Sequence, residues 1–208
     1  MTNLSRLLRP SHSAKLSVAR FILASGSPRR RQLLREAGYD FEVVSPPVAE
    51  VAHAWLTTRE LTAWNAAGKA APVSEMAPDA IVLAADTLVT IDGQVLGKPA
   101  DLDEAVKILR RLSGRAHEVW TAVSIRCAAQ RKSESFHEMS RVQFRALDDA
   151  AIRRYLAKID PLDKAGAYAA QGRGREIIER IDGSYTNVVG LPMEATSRAL
   201  RRFGVTPG

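Results

Sequence analysis

Arg20-Phe21-Ile22-Leu23-Ala24-Ser25-Gly26-Ser27-Pro28-Arg29-Arg30 is the stretch on which the reading of this chain turns. The apolar run Arg20–Ala24 reads as a buried strand that ends in the small-residue turn Ser25-Gly26. Pro28 then opens a helix of about ten residues, closed by Gly38, because Pro suits the first helical position and Gly the stop. A strand, a tight turn and a helix start point unpaired backbone N–H groups at whatever lies above Ser27, a geometry that favours anions. Arg29 and Arg30 add fork-shaped donors suited to phosphate oxygens. The local physics leaves a second reading open, with Ser27 only an N-cap and both arginines solvated. No G-x-x-x-x-G-K-[ST] loop occurs in the chain.

Outward from this stretch, strands and helices alternate. Phe41–Val44 reads as a strand and Thr58–Ala71 as an Ala-rich helix. Ala80–Ala85 is a continuous apolar strand of the kind buried on both faces, with Asp86-Thr87 directly after it. Leu88–Ile91 and Gln94–Leu96 flank Asp92-Gly93, the signature of a type I′ hairpin. Asp101-x-x-Glu104 caps a helix running to Leu112. Val119–Arg126 and Val142–Ala146 read as strands, Asp149–Lys158 as a helix, Ile177–Ile181 as a strand and Met193–Phe203 as a closing helix. The class is α/β with a mixed sheet.

The 208 residues carry 46% apolar and 25% charged side chains, ordinary values for a globular chain. No apolar run reaches the roughly 20 residues that span a bilayer, and the single Cys127 fits a reducing compartment, so a cytoplasmic protein without a membrane partner is expected. The formal charge of +7 is unevenly spread. Residues 1–35 hold Arg6, Arg9, Lys15, Arg20, Arg29, Arg30, Arg31 and Arg35 and no acid; the rest is near neutral. A stable nucleic-acid partner is therefore not expected, since such a face leaves excess positive charge on the folded body. Residues 1–18 read as a flexible basic extension, whose Ser/Arg/Leu composition also matches a transit peptide. Residues 19–208 read as one domain.

Further candidates follow. A strand-end Asp86 is suited to holding Mg²⁺ or a water, or else is simple turn chemistry. Lys98 lies between Gly97 and Pro99, where a surface turn is the plain alternative. The small-residue segment Asp163–Gly174, with Lys164 and Gln171, permits close backbone approach to a ligand, or is a flexible loop. Gly183–Pro192 is a turn-rich approach to the last helix. His12, His53, His117 and His137 lack any metal-ligand spacing, and there is no G-x-S-x-G elbow.

Taken together and in order, Phe21–Arg30, Ala85-Asp86-Thr87, Gly97-Lys98-Pro99, Leu112–His117, Asp163–Tyr168 and Val188–Pro192 resemble the Maf family of nucleoside triphosphate pyrophosphatases. The resemblance covers about residues 20–205. It implies a two-lobed mixed sheet flanked by helices, like that of the inosine-triphosphate pyrophosphatases (a Maf/Ham1 fold), and often a homodimer. It implies a hydrolase acting on acid anhydrides, which cuts nucleoside triphosphates between the α- and β-phosphates. House-cleaning of non-standard nucleotides or a link to septum formation goes with it, and a non-catalytic regulator of division is the competing reading.

Asp86 matches the family's proton acceptor and, with Glu50, would hold a divalent cation, Mg²⁺ or Mn²⁺. Ser25, Ser27, Arg29, Arg30, Lys69, Lys98 and Lys164 would face substrate. Arg29, Thr87 and Gln171 match positions linked to substrate choice. A carboxamide at Gln171 can accept from the N3–H of uracil or thymine and donate to a neighbouring carbonyl, so Tyr168–Gly172 looks like the dTTP/UTP branch. Two departures stand out. Val48-Ala49-Glu50 leaves one acid where the family has a pair, and Gly68-Lys69-Ala70 replaces the usual Glu-Lys-Ala.

Overall fold

The computed structural model describes residues 20–46, 48, 51 and 55–208. The extension read for residues 1–18, and the candidate Glu50, lie outside the described residues. Strand β1 (Phe21–Leu23) leads into helix α1 (Pro28–Glu36), as the apolar run and Pro28 require. β2 (Glu42–Val43) precedes α2 (Thr58–Met76), and β3 (Ile81–Ile91) turns into β4 (Gln94–Leu96). α3 (Leu102–Leu112), β5 (Ala116–Cys127), β6 (Lys132–Phe144) and α4 (Asp149–Leu156) follow. Two 3₁₀ turns, Ala165–Ala167 and Gly172–Glu176, lead to β7 (Ile178–Asp182), α5 (Tyr185–Val189) and α6 (Met193–Arg202).

One seven-stranded sheet has the order β2-β1-β3-β5-β6-β7, with β4 paired to β3. β1 pairs in parallel with β2 and β3, and the other pairings are antiparallel. This is the mixed α/β sheet expected. Asp92 and Gly93 both take positive φ (54° and 72°), the two-residue type I′ geometry that Asp-Gly supplies. No helix among the described residues is long and apolar enough to cross a membrane.

Four readings change. Asp86 is not a strand-end residue: β3 runs unbroken through it, pairing Asp86 with Ala122 and Thr87 with Thr121 of β5. The strand that stops is β1, whose parallel register covers only Ile81–Leu83. α2 does not end before Pro72 but continues through it to Met76. An interior proline costs a helix about 3 kcal/mol, and burial of Ala70 and Val73 in the apolar cluster against β3 works against that cost. β6 begins ten residues before the expected Val142, because Lys132–Arg141 pairs residue by residue with β5 despite its polar sequence. The approach to the last helix, Gly183–Pro192, contains the short helix α5.

Side-chain parity along β3 divides the molecule. Val82 and Ala84 face α2, joining Ile22, Ala24, Ala70 and Val73 in one apolar cluster. Ile81, Leu83 and Ala85 face the other side, where α1 and α6 pack through Leu33, Leu34, Ala199 and Leu200. Val89 and Ile91 belong to a separate cluster with α3 and α4. The core on that face thus falls into two lobes, and Thr87 stands between them.

Candidate active site

The same parity sends Asp86 and Thr87 to opposite faces. Asp86 points towards α2 and is 3% exposed. Lys69 donates from Nζ to its Oδ1 at 2.6 Å, and Asn65 donates from Nδ2 to its Oδ2 at 3.3 Å. Lys69 and Asn65 are four residues apart, so one face of α2 grips both carboxylate oxygens. A buried carboxylate needs such partners, because desolvation of an unpaired charge is expensive.

Thr87 faces the seam between the lobes. Its Oγ1 lies 2.9 Å from Thr121 Oγ1 and accepts from Arg30 Nη2 at 3.0 Å. Arg30 is 8% exposed. It also donates from Nε to the Gly190 carbonyl at 2.8 Å and from Nη1 to Ser25 Oγ at 3.1 Å. One guanidinium thereby joins α1, β3 and the end of α5. Gly190 takes φ 125° to present that carbonyl, a conformation that favours glycine. Ser27 caps α1, accepting from Arg30 N at 3.5 Å, as one of the two sequence readings had it; the Ser27 N–H itself donates to Ser25 Oγ at 3.3 Å.

Arg29 turns the other way. Its Nη1 lies 3.1 Å from Asp163 Oδ2 across the cleft mouth, and Lys164 also pairs with Asp163. Burial by itself would raise the Asp163 carboxyl, but Lys164 and Arg29 hold it below the usual carboxylate range. Sequence reasoning assigned Asp163 no role of its own, yet it is the counter-charge to two candidate phosphate ligands. Lys98 is exposed, and its side chain makes no hydrogen bond or ion pair among the described residues. Its loop is held by Gly166, whose N–H donates to the Gly97 carbonyl at 3.1 Å. Gln171 is half-buried, and its carboxamide caps no backbone group. The glycine-rich segment packs closely on itself as well: a Cβ at Gly174 would meet the Ala169 carbonyl at 2.6 Å.

All these side chains line one cleft of about 560 Å³: Ser25, Ser27, Arg29, Arg30, Lys69, Asp86, Thr87, Lys98, Lys164 and Gln171. That volume suits a small-molecule ligand. Asn65 was missed by sequence reasoning; the available signal was a polar residue one turn before Lys69 in an otherwise Ala-rich helix. Among the described residues no group of three or more His, Cys, Asp or Glu could hold a metal ion.

Fold and site define an α/β protein whose mixed sheet carries a cation-rimmed cleft over a buried carboxylate. Residues 20–203 match the family model for Maf-like protein, and the chain belongs to that family. A dTTP/UTP pyrophosphatase of Pelotomaculum thermopropionicum is 47% identical over 183 residues, covering 88% of this chain and 96% of that protein. One from Bacillus pumilus is 42% identical over 186 residues, covering 89% and 97%. The solved Staphylococcus aureus Ham1 protein is a partial likeness, at 13% identity and a TM-score of 0.45 over 60% of this chain and 71% of that one.

Proposed function

We propose that the chain hydrolyses nucleoside triphosphates at the α–β phosphoanhydride, giving a nucleoside monophosphate and pyrophosphate, with dTTP and UTP preferred. The names of its relatives support the activity. The observation that carries the site assignment is Asp86, a carboxylate 3% exposed and held by both oxygens at the wall of a cleft with cations at its mouth.

In this reading Asp86 orients the attacking water and accepts its proton. Lys69 balances the carboxylate and faces the phosphate chain. Arg29 exchanges Asp163 for phosphate oxygens, while Lys98 and Lys164 take further charge. Phosphoryl transfer asks mainly for such positioning and electrostatics. Arg30 and Ser25 work from behind, bracing Thr87 and the Gly190 turn rather than meeting substrate first. Gln171 reads the base edge with its acceptor and donor.

A hard divalent cation fits these residues as a companion of the triphosphate. Mg²⁺ commonly takes one or two carboxylates and completes its shell with phosphates and water, and Asp86 offers lone pairs beyond those used by Lys69 and Asn65. Asp86 and Glu50 would hold Mg²⁺ or Mn²⁺, which would supply charge neutralisation at the phosphates. The proposal extends to a cytoplasmic enzyme and to the homodimer implied by the family.

The test is a panel of ribo- and deoxynucleoside triphosphates with Mg²⁺ or Mn²⁺, products separated by chromatography. Turnover of dTTP and UTP to monophosphate and pyrophosphate, at least about tenfold above purines, is expected if pairing to Gln171 decides the base. Purine selectivity would overturn the Gln171 role, and a nucleoside diphosphate plus orthophosphate as products would overturn the reaction.

A further inference from the structure

We propose that Asn65 is a positioning residue for Asp86, locking the carboxylate and the main chain at Val51 into one unit. The inference rests on the role given to Asp86 above and concerns a residue outside the motifs that carry the family resemblance.

The carboxamide orientation follows from its partners. Val51 N–H donates to Asn65 Oδ1 at 2.9 Å, so that atom is the oxygen. The other end is then an NH₂ with two hydrogens. One goes to the Val51 carbonyl at 3.3 Å and the other to Asp86 Oδ2 at 3.3 Å. The side chain is therefore acceptor once and donor twice, in one plane. Leucine keeps the volume and loses all three bonds; alanine loses them too, without adding charge beside Asp86. Asn65 is 6% exposed, so water cannot readily replace what is lost.

Position on the helix adds a second argument. Asn is a mediocre helix former, because its side chain competes with the backbone, yet this one sits inside a helix otherwise rich in alanine. One turn on, Lys69 holds Oδ1 of the same carboxylate at 2.6 Å. Lys69 alone would leave Asp86 free to turn about its Cβ–Cγ bond. The hydrogen bond from the carboxamide N–H to Oδ2 fixes the carboxylate plane at the wall of the cleft. The two contacts to Val51 also anchor that stretch of main chain to the same side chain.

Asn65→Leu and Asn65→Ala, each compared with wild type and Asp86→Asn, test this through UTP turnover and calorimetric binding of the non-hydrolysable α,β-methylene-UTP. A positioning role predicts a fall in kcat of about 10–100-fold in both Asn65 variants, the usual size for loss of a supporting hydrogen bond in a site. KM and analogue affinity should stay within about threefold of wild type, by the logic of a group acting only in the transition state. If Asn65→Leu fails to fold, Asn65→Ala decides alone, since it removes the same bonds without crowding or charging the site beside Asp86. A folded variant with wild-type kcat, or a loss confined to KM and analogue binding, overturns the inference. Should Asp86→Asn itself turn over like wild type, the role of Asp86 falls, and this inference with it. An inactive Asp86→Asn beside a normal Asn65 variant sinks the Asn65 assignment only.

Discussion

Arg29 and Arg30 are neighbours in sequence and opposites in structure. Arg30 is buried and spends its guanidinium on Gly190, Ser25 and Thr87; Arg29 is half-buried and reaches an exposed carboxylate at the cleft mouth. The two therefore separate stability from binding. Arg30→Met leaves three partners without their donor and should lower unfolding free energy by about 3 kcal/mol. Arg29→Met breaks a partly exposed ion pair and should change it by less than about 1 kcal/mol, while raising KM for the triphosphate. Urea unfolding of both variants checks this, and equal destabilisation would contradict it. The sequence could suggest that this pair mattered. It could not assign the jobs, because nothing in Ser-Pro-Arg-Arg tells which arginine turns inward; that depends on Gly190, 160 residues on.

Between elements, the packing of β5 against the first 3₁₀ turn holds a titratable group. His117 on β5 is 2% exposed, and its Nε2 lies 2.8 Å from the Tyr168 hydroxyl. Its ring packs edge-on against Phe144 and Tyr168. Burial pushes its pKa down to about 4. The unfolded chain, with histidine near 6.5, then binds more protons than the native state between about pH 4 and 6.5. Stability from this group is present above that window and is lost as pH falls through it. From pH 7 to 5 the loss should be about 2 kcal/mol. His117→Gln should show a correspondingly smaller difference in urea unfolding between those two pH values; an unchanged difference would rule out His117 as the source.

Elements were legible where local chemistry decided them: the Asp92-Gly93 hairpin, the Asp101 cap, and Pro28 at the start of α1. They were hidden where pairing or packing overrode local signals. Asp86 looked like a strand end because a charge follows an apolar run, but β5 offers it a ladder partner. Lys132–Arg141 carried no apolar alternation because most of it forms the open edge beyond β5, with β7 pairing only from Arg141 onward. Charges there suit an edge that must not pair further. Asn65 escaped notice because its partners, Val51 and Asp86, lie far along the chain.

At the scale of the whole molecule, two apolar lobes share one face of the sheet, and the polar seam between them opens into the cleft. Helix α2 covers the other face and supplies Lys69 and Asn65. The cleft thus draws on both faces: Asp86 comes from one and the Thr87–Arg30 seam from the other, through consecutive residues of a single strand. Five of the six sequence motifs, spread over about 170 residues, meet at the cleft because β3 carries Asp86 and Thr87 across the end of β1, where α1 begins. The proposed function stands or falls with Asp86 as the group that activates water in the cleft. Its most direct test is pyrophosphate release from UTP by wild type and Asp86→Asn, with folding checked by circular dichroism and α,β-methylene-UTP binding by calorimetry. Asp86→Asn should lower kcat by at least about 100-fold, as expected for removing a general base, in a folded variant that still binds the analogue. Turnover within about threefold of wild type would contradict it.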